Sequence, residues 1–181
     1  NFSEASGAEA ARELLARSPR PTALVAANDM MAIGAMQVAR EELGLAADGY
    51  ALVTLHRPSN VDSRDTLEPI VDALMSAATN LPVVFVAHPR TIKGLETFGL
   101  KDKLSGDANV TLLEPVPYIR FMSLVTGARV VITDSGGLQE ETSYLGIPCL
   151  TMRENTERPI TVTLGTNELV NAQSLSEHLQ S

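Results

Sequence analysis

Residues 133–141 read Thr-Asp-Ser-Gly-Gly-Leu-Gln-Glu-Glu and directly follow the apolar segment 128–132. That segment has the length and β-branched content of a buried strand, and residues 138–145 favour a helix. A helix N-terminus offers free backbone N–H groups and partial positive charge to a phosphate, and glycines let the phosphate approach. Ser135 can add a hydroxyl donor, and Glu141 can accept hydrogen bonds from sugar hydroxyls. The candidate phosphate and sugar site therefore comprises Ser135, Gly136, Gly137 and Glu141.

The same nine residues also fit an ordinary strand-to-helix turn in which Ser135 caps the helix and binds nothing. Turns of this kind are common in α/β proteins, so the glycine turn alone leaves both interpretations open.

Longer motifs accompany this turn in a fixed order along the chain: LHRPSNVD at 55–62, AHPR at 87–90, EPVPY at 114–118, GIPCLTMRENTERP at 146–159 and GTNELV at 165–170. Together they resemble the C-terminal domain of non-hydrolysing UDP-N-acetylglucosamine 2-epimerases over residues 50–170. The resemblance implies a glycosyltransferase-B arrangement, in which two Rossmann-like domains hold a nucleotide sugar in the cleft between them.

The resemblance also implies roles for individual side chains. His56 would lie near the substrate diphosphate and is the candidate catalytic residue, with Arg57 beside it in the nucleotide site. His88 ends the next strand on the same edge of the sheet, and Arg158 of the Thr-Glu-Arg-Pro motif would contact the nucleotide. Each also has a plain structural explanation, as a histidine in a strand-end loop or an exposed arginine at a helix start.

In the resembling family, the reaction inverts the sugar C2 by eliminating and then re-adding UDP. The carboxylates that act on the sugar come largely from the N-terminal domain, and residues 1–47 supply no comparable set. We therefore expect UDP or a UDP-sugar as the partner, no cofactor, and a nucleotide half-site that is incomplete for catalysis. The alternative is a non-catalytic recombined α/β protein or a sugar-sensor fragment.

Composition excludes several other classes of function. The 181 residues carry a formal net charge of −8, which argues against a nucleic-acid-binding surface. No window is long and apolar enough to predict a membrane span, and no Cys/His cluster has the spacing of metal ligands. Cys149 is the single cysteine and is predicted to be a buried small hydrophobe in a reducing cytoplasm.

Alternating strand and helix patterns predict an α/β fold, a Rossmann-like three-layer domain with a mainly parallel sheet. Predicted strands are 22–27, 50–56, 82–87, 109–113, 129–133, 148–152 and 168–170. Predicted helices are 4–17, 29–43, 64–79, 91–98, 118–126, 136–145 and 158–164.

Residues 1–47 resemble a different family, the sugar-binding domain of lactose-repressor-type regulators, through the segments 1–15 and 21–35. We therefore predict a chimera-like chain in which an αβα fragment, 1–47, packs onto a UDP-sugar-binding domain, 48–181. Strand 22–27 is apolar and would need a partner at a sheet edge. A homodimer formed through that strand is one solution.

Overall fold

A computed structural model describes residues 3–18, 24–28, 30–31, 34–35, 38 and 49–180. The chain divides into two compact units, Asn1–Ala47 and Asp48–Ser181, which are described separately below.

In the first unit, helix α1 (Glu4–Leu15) begins with a capping box between Ser3 and Ser6. It begins where the predicted helix 4–17 begins and ends two residues earlier. Ala11 and Leu15 of this helix are buried together with Val38. The described positions of the predicted helix 29–43 are all helical, and its other positions lie outside the described residues.

The predicted strand 22–27 is wrong for its described part. Residues 24–28 form no strand, and the side chain of Val25 is wholly exposed. Residues 22 and 23 lie outside the described part of the chain. The segment is apolar, but a short apolar segment is not necessarily a buried strand.

The second unit alternates strands and helices along the chain. Its strands are β1 (Ala51–Thr54), β2 (Val83–Val86), β3 (Val110–Leu113), β4 (Val130–Thr133), β5 (Cys149–Met152) and β6 (Asn167–Val170). Its helices are α2 (Pro58–Val61), α3 (Arg64–Ala78), α4 (Pro89–Thr97), α5 (Lys101–Ser105), α6 (Tyr118–Val125), α7 (Gly136–Leu145), α8 (Pro159–Thr163) and α9 (Ala172–Gln180).

All five strand pairings of the sheet are parallel, and the strand order is β3-β2-β1-β4-β5-β6. This is the doubly wound Rossmann order, so the predicted fold class is confirmed. The order reverses direction between β1 and β4, where Val53 pairs with Ile132. Ligands of such sheets bind outside the carboxyl ends of the strands at this point.

Successive side chains of the central strands pack on opposite faces of the sheet. Val53 and Ile132 join one buried cluster with Phe85 and residues of α3, α4 and α9, whereas Leu52 and Val131 join another with residues of α6 and α7. This alternation follows from the pleat of a strand and gives the three layers that the sequence predicts.

Three helices of the second unit escaped the sequence prediction: α2, α5 and α9. The first two are only one turn long, too short for an apolar period to show. The sequence of α9 looks like a polar tail, but it buries Leu175 completely and packs along α3.

His178 is half-buried, and its ring connects α9 to β6. Its Nδ1 lies 2.7 Å from the carbonyl oxygen of Ser174, and its Nε2 lies 2.9 Å from the Glu168 carboxylate of β6. The backbone carbonyl of Ser174 and then the Glu168 carboxylate raise the pKa of His178 above its usual 6.5.

We expect His178 to stabilise the fold in a pH-dependent way. Because the folded-state pKa is raised, the contribution is complete below the unfolded-state value of about 6.5 and disappears as pH rises through the folded-state value. His178→Gln should therefore lower the free energy of unfolding at pH 6 and change it little at pH 9, as measured by urea titration. Glu168→Gln should reproduce part of this loss, and a pH-independent effect of His178→Gln would contradict the assignment.

Candidate nucleotide site at the switch point

Asp134 organises the site from the end of β4. Its side chain is fully buried, and its carboxylate accepts hydrogen bonds from the backbone N–H groups of His56 and Arg57, the latter at 2.8 Å. It also accepts from Asn60 Nδ2 at 3.0 Å, and its Oδ1 lies 2.9 Å from His56 Nδ1. One carboxylate thus ties the chain after β1 to the chain after β4, across the switch point of the sheet.

One cleft of about 500 Å³ brings together most of the predicted site residues. It lies beside the carboxyl ends of β1, β2 and β4, with Tyr118 and Phe121 of α6 on one side. The predicted residues that line it are His56, His88, Ser135, Gly137 and Glu141.

The start of α7 presents open backbone N–H groups, as the sequence predicts. Ser135 occupies the N-cap position, as the ordinary turn interpretation expects, but its side chain makes no capping hydrogen bond. A Cβ atom placed on Gly137 would meet no atom within 4 Å, which leaves space over the helix end. The geometry therefore has room for an anionic group at this helix terminus.

The polar side chains around the cleft already have partners. Glu141 accepts a hydrogen bond from the Tyr118 hydroxyl at 2.9 Å, and His88 Nδ1 accepts one from the backbone N–H of Arg90 at 3.2 Å. The His56 and His88 rings lie 5.8 Å apart between centroids. Two imidazoles and one carboxylate therefore face the same cleft.

Arg57 faces a different cleft, of about 730 Å³, on the β5 and β6 side of the switch point. Its Nε donates to the Asp134 carbonyl at 3.0 Å, and its Nη2 lies 3.7 Å from Glu157. Arg153, whose side chain is 7% exposed, forms two short hydrogen bonds with Glu157 and lowers the pKa of that carboxyl to about 2. Arg57 thus contacts an ion-paired cluster, while its neighbour His56 lines the first cleft.

Arg158 and Gly136 lie at the edge of this arrangement. Arg158 Nε pairs with Glu140 at 2.8 Å, and Arg158 lines neither cleft. A Cβ atom on Gly136 would have the Glu157 carboxylate as its nearest neighbour, at 3.9 Å. Glu140 would therefore compete for the Arg158 guanidinium with any ligand in the first cleft.

A buried polar network holds the 153–158 loop against α7. Gln139 is fully buried; its Nε2 donates to the Ser135 carbonyl at 3.1 Å, and its Oε1 accepts from Thr156 at 2.6 Å and Asn167 at 3.2 Å. Asn167 also accepts from Thr151 at 2.6 Å and donates to Thr161 at 3.2 Å. Three of the sequence motifs contribute to this network: Gln139 belongs to 133–141, Thr151 and Thr156 to 146–159, and Asn167 to 165–170. These contacts give a physical reason for the three motifs to occur together.

Sequence reasoning missed Asp134, Asn60, Gln139 and Tyr118 as parts of the site. Asp134 and Asn60 stand inside quoted motifs, so their position beside the assigned residues was the available signal. Within the part of the chain that the structure describes, no group of three or more His, Cys, Asp or Glu residues could hold a metal ion. Within the same residues, no helix has the length and apolar character needed to cross a membrane.

A doubly wound sheet with polar side chains at its switch point defines a Rossmann-like α/β domain. The family model described as UDP-N-acetylglucosamine 2-epimerase matches residues 22–180, so the match begins within residues 1–47. The chain therefore belongs to the UDP-N-acetylglucosamine 2-epimerase family.

Individual relatives agree with this family. The chain is 45% identical over 125 residues to the UDP-N-acetylglucosamine 2-epimerase of Methanocaldococcus jannaschii, covering 68% of this chain and 34% of that protein. It is 43% identical over 138 residues to the UDP-2,3-diacetamido-2,3-dideoxy-D-glucuronate 2-epimerase of Pseudomonas aeruginosa, covering 75% and 37%. The chain thus spans about a third of the length of these curated relatives.

Solved structures show the same fold. The Methanocaldococcus jannaschii enzyme in complex with UDP-GlcNAc and UDP matches with a TM-score of 0.71 at 34% identity, covering 97% of this chain and 45% of that one. The Neisseria meningitidis enzyme bound to UDP-GlcNAc matches with a TM-score of 0.65 at 26% identity, covering 98% and 51%. The domain has the glycosyltransferase-B-type fold that the sequence predicts.

Proposed function

We propose that this chain binds UDP or a UDP-sugar in the cleft beside β1, β2 and β4. The observation that supports this most is the convergence of His56, His88, Ser135 and Glu141 at the open N-terminus of α7, in a chain of this family. The two solved relatives above contain UDP-GlcNAc, which is the chemical class proposed here.

In this proposal, different site residues contact different parts of the ligand. The diphosphate lies over Gly136 and Gly137, where backbone N–H groups and the Ser135 hydroxyl donate to it. His56 approaches the diphosphate from the β1 side as the catalytic group. The His88 ring lies 5.8 Å from the His56 ring and lines the same cleft. Glu141 accepts hydrogen bonds from sugar hydroxyls, which replace that of Tyr118. Arg57 supports the site through the Asp134 carbonyl.

Calorimetric titration with UDP tests the proposal. We expect a dissociation constant of about 10 μM to 1 mM, because half of a two-domain cleft must order the ligand by itself. Glu141→Gln should weaken binding several-fold, since a neutral amide is a poorer acceptor for two hydroxyls. Glu96→Gln, on α4 and outside the cleft, serves as the matched control. No heat with millimolar UDP in a folded sample would overturn the proposal.

Arg158 gives a separate prediction. If Arg158 contacts the nucleotide, the Glu140 carboxylate competes with the ligand for its guanidinium, so Glu140→Gln should strengthen UDP binding and Arg158→Ala should weaken it. Both variants can be measured in the same titration. Unchanged affinity in both would remove Arg158 from the site and leave the rest of the proposal intact.

We also propose an origin for residues 1–47, a homodimer and a cellular compartment for this chain. A repressor-type origin of residues 1–47 and a homodimer through residues 24–27 are supported by the separate first unit and by the exposed Val25. Light scattering should then show a dimer that Val25→Lys dissociates. A reducing cytoplasm suits Cys149, a free, buried cysteine whose thiol pKa is raised by burial.

A further inference from the structure

The side chain of Asp134 has no exposed surface, yet it contacts the one residue proposed to act in catalysis. Its Oδ1 lies 2.9 Å from His56 Nδ1, whereas the neighbouring His88 ring lies 5.8 Å from the His56 ring between centroids. A buried carboxylate cannot touch a ligand in the cleft. Any effect of Asp134 on that ligand must therefore pass through His56 or through the backbone that it holds.

We propose that Asp134 is the positioning residue of His56 and fixes its tautomer. A ring nitrogen that faces a carboxylate oxygen at hydrogen-bond distance must carry the hydrogen, so the neutral ring is the Nδ1–H tautomer. Nε2, on the opposite side of the ring, then keeps its lone pair. His56 lines the cleft, so this nitrogen is the one available to a ligand.

This assignment determines what His56 can do. In its neutral form Nε2 accepts a hydrogen bond from a hydroxyl or takes a proton. In its charged form Nε2 donates to an anionic oxygen, while the new positive charge faces the Asp134 carboxylate. The opposite tautomer would present a fixed donor and could not act as a base. Orientation by a carboxylate serves the same purpose in histidine-dependent hydrolases.

The other two histidines of the chain are internal references, because their contacts predict different states. His88 Nδ1 accepts a hydrogen bond from the backbone N–H of Arg90, so its neutral ring is the Nε2–H tautomer. His178 faces a carbonyl oxygen through Nδ1 and a carboxylate through Nε2, which favours the doubly protonated ring. The three rings should therefore give three different patterns of ring-nitrogen shifts.

Nitrogen-15 NMR of the imidazole rings measures these states directly. For neutral His56, assigned by its loss in His56→Gln, we expect a pyrrole-type shift at Nδ1 and a pyridine-type shift at Nε2. The His88 ring should show the reverse pattern. The Nε2–H tautomer at His56 of the unmodified chain would overturn the proposal without any variant of Asp134.

Asp134→Asn then tests the cause. Oδ2 accepts from the Arg57 backbone at 2.8 Å and from Asn60 at 3.0 Å, and it shares the His56 backbone N–H with Oδ1 at 3.1 Å. The amide oxygen is therefore favoured at the Oδ2 position, and the NH2 group takes the Oδ1 position. It then donates to His56 Nδ1 and should reverse the tautomer. Asn60→Ala removes a contact to the same carboxylate and should leave the tautomer unchanged. A folded Asp134→Asn variant that keeps the Nδ1–H tautomer would refute the proposal.

A binding measurement extends the test, and this arm alone rests on the proposed nucleotide site. Asp134→Asn should weaken UDP binding about tenfold, which is the lower end of the loss seen when a group that orients a metal-ligating histidine is removed. In a His56→Gln background the same change should cost less than about twofold, because the effect passes through His56. Equal losses in both backgrounds would reduce Asp134 to structural support. If UDP does not bind at all, the proposed function fails while the NMR result still decides the tautomer.

Discussion

Gln139→Leu is expected to lower the free energy of unfolding by about 2–4 kcal/mol, because it leaves buried polar groups without partners. The Ser135 carbonyl loses its Nε2 donor, and the Thr156 hydroxyl and the Asn167 amide lose their shared acceptor. Asn167 keeps its bonds to Thr151 and Thr161, which limits the loss. Chemical denaturation of the purified chain gives the value.

Tyr144→Ala on the same helix is the matched control. Its side chain is 85% exposed, so its removal should change stability by no more than about 0.5 kcal/mol. UDP binding should also weaken in Gln139→Leu, since the network fixes the Ser135 turn against the 153–158 loop. A stability loss below 1 kcal/mol would show that water replaces the glutamine, and the network would lose its proposed importance.

The second large effect is the absence of catalysis. UDP-N-acetylglucosamine incubated with this chain alone should show no detectable conversion to its manno epimer. Of the residues that line the cleft, Glu141 is the single carboxylate, and Tyr118 already donates to it. A positioned general acid and a positioned general base each contribute about 10²–10⁴-fold to the rate. A site that lacks this acid–base pair therefore loses most of its rate enhancement.

Proton NMR of the sugar distinguishes the two epimers, and the Methanocaldococcus jannaschii relative serves as the positive control. Conversion by the purified chain that disappears in His56→Gln would contradict the prediction and would show that the half-site is sufficient. Conversion that survives this substitution would identify a contaminating enzyme.

The parallel sheet was predictable because its strands are short, mainly apolar segments separated by helical patterns. Val130–Thr133, which is β-branched throughout, and Cys149–Met152, which is buried at all four positions, illustrate this. The start and end of α7 were also predictable, because Gly136 and Gly137 open it and Gly146 closes it at a φ of 70°. Such features are local in sequence.

The contacts within the site could not be predicted in the same way, because they join distant residues. Nothing near Asp134 in the sequence indicates that its carboxylate holds the backbone of His56 and Arg57. Likewise, the separation of Arg57 from His56 into two clefts depends on side-chain direction after β1, which residue type does not determine. Residues 24–27 are an opposite case: their apolar composition predicted a buried strand, but they are exposed and form none.

The strand order has a consequence for how this domain can be combined with others. All six strands lie between residues 51 and 170, so every hydrogen-bonded pair of the sheet forms within the second unit. We therefore expect that an upstream sequence can be exchanged without altering the register of these strands. The domain would in this sense be a transferable module: recombination at the boundary near residue 48 would give it a new N-terminal partner and leave the carboxyl ends of its strands intact.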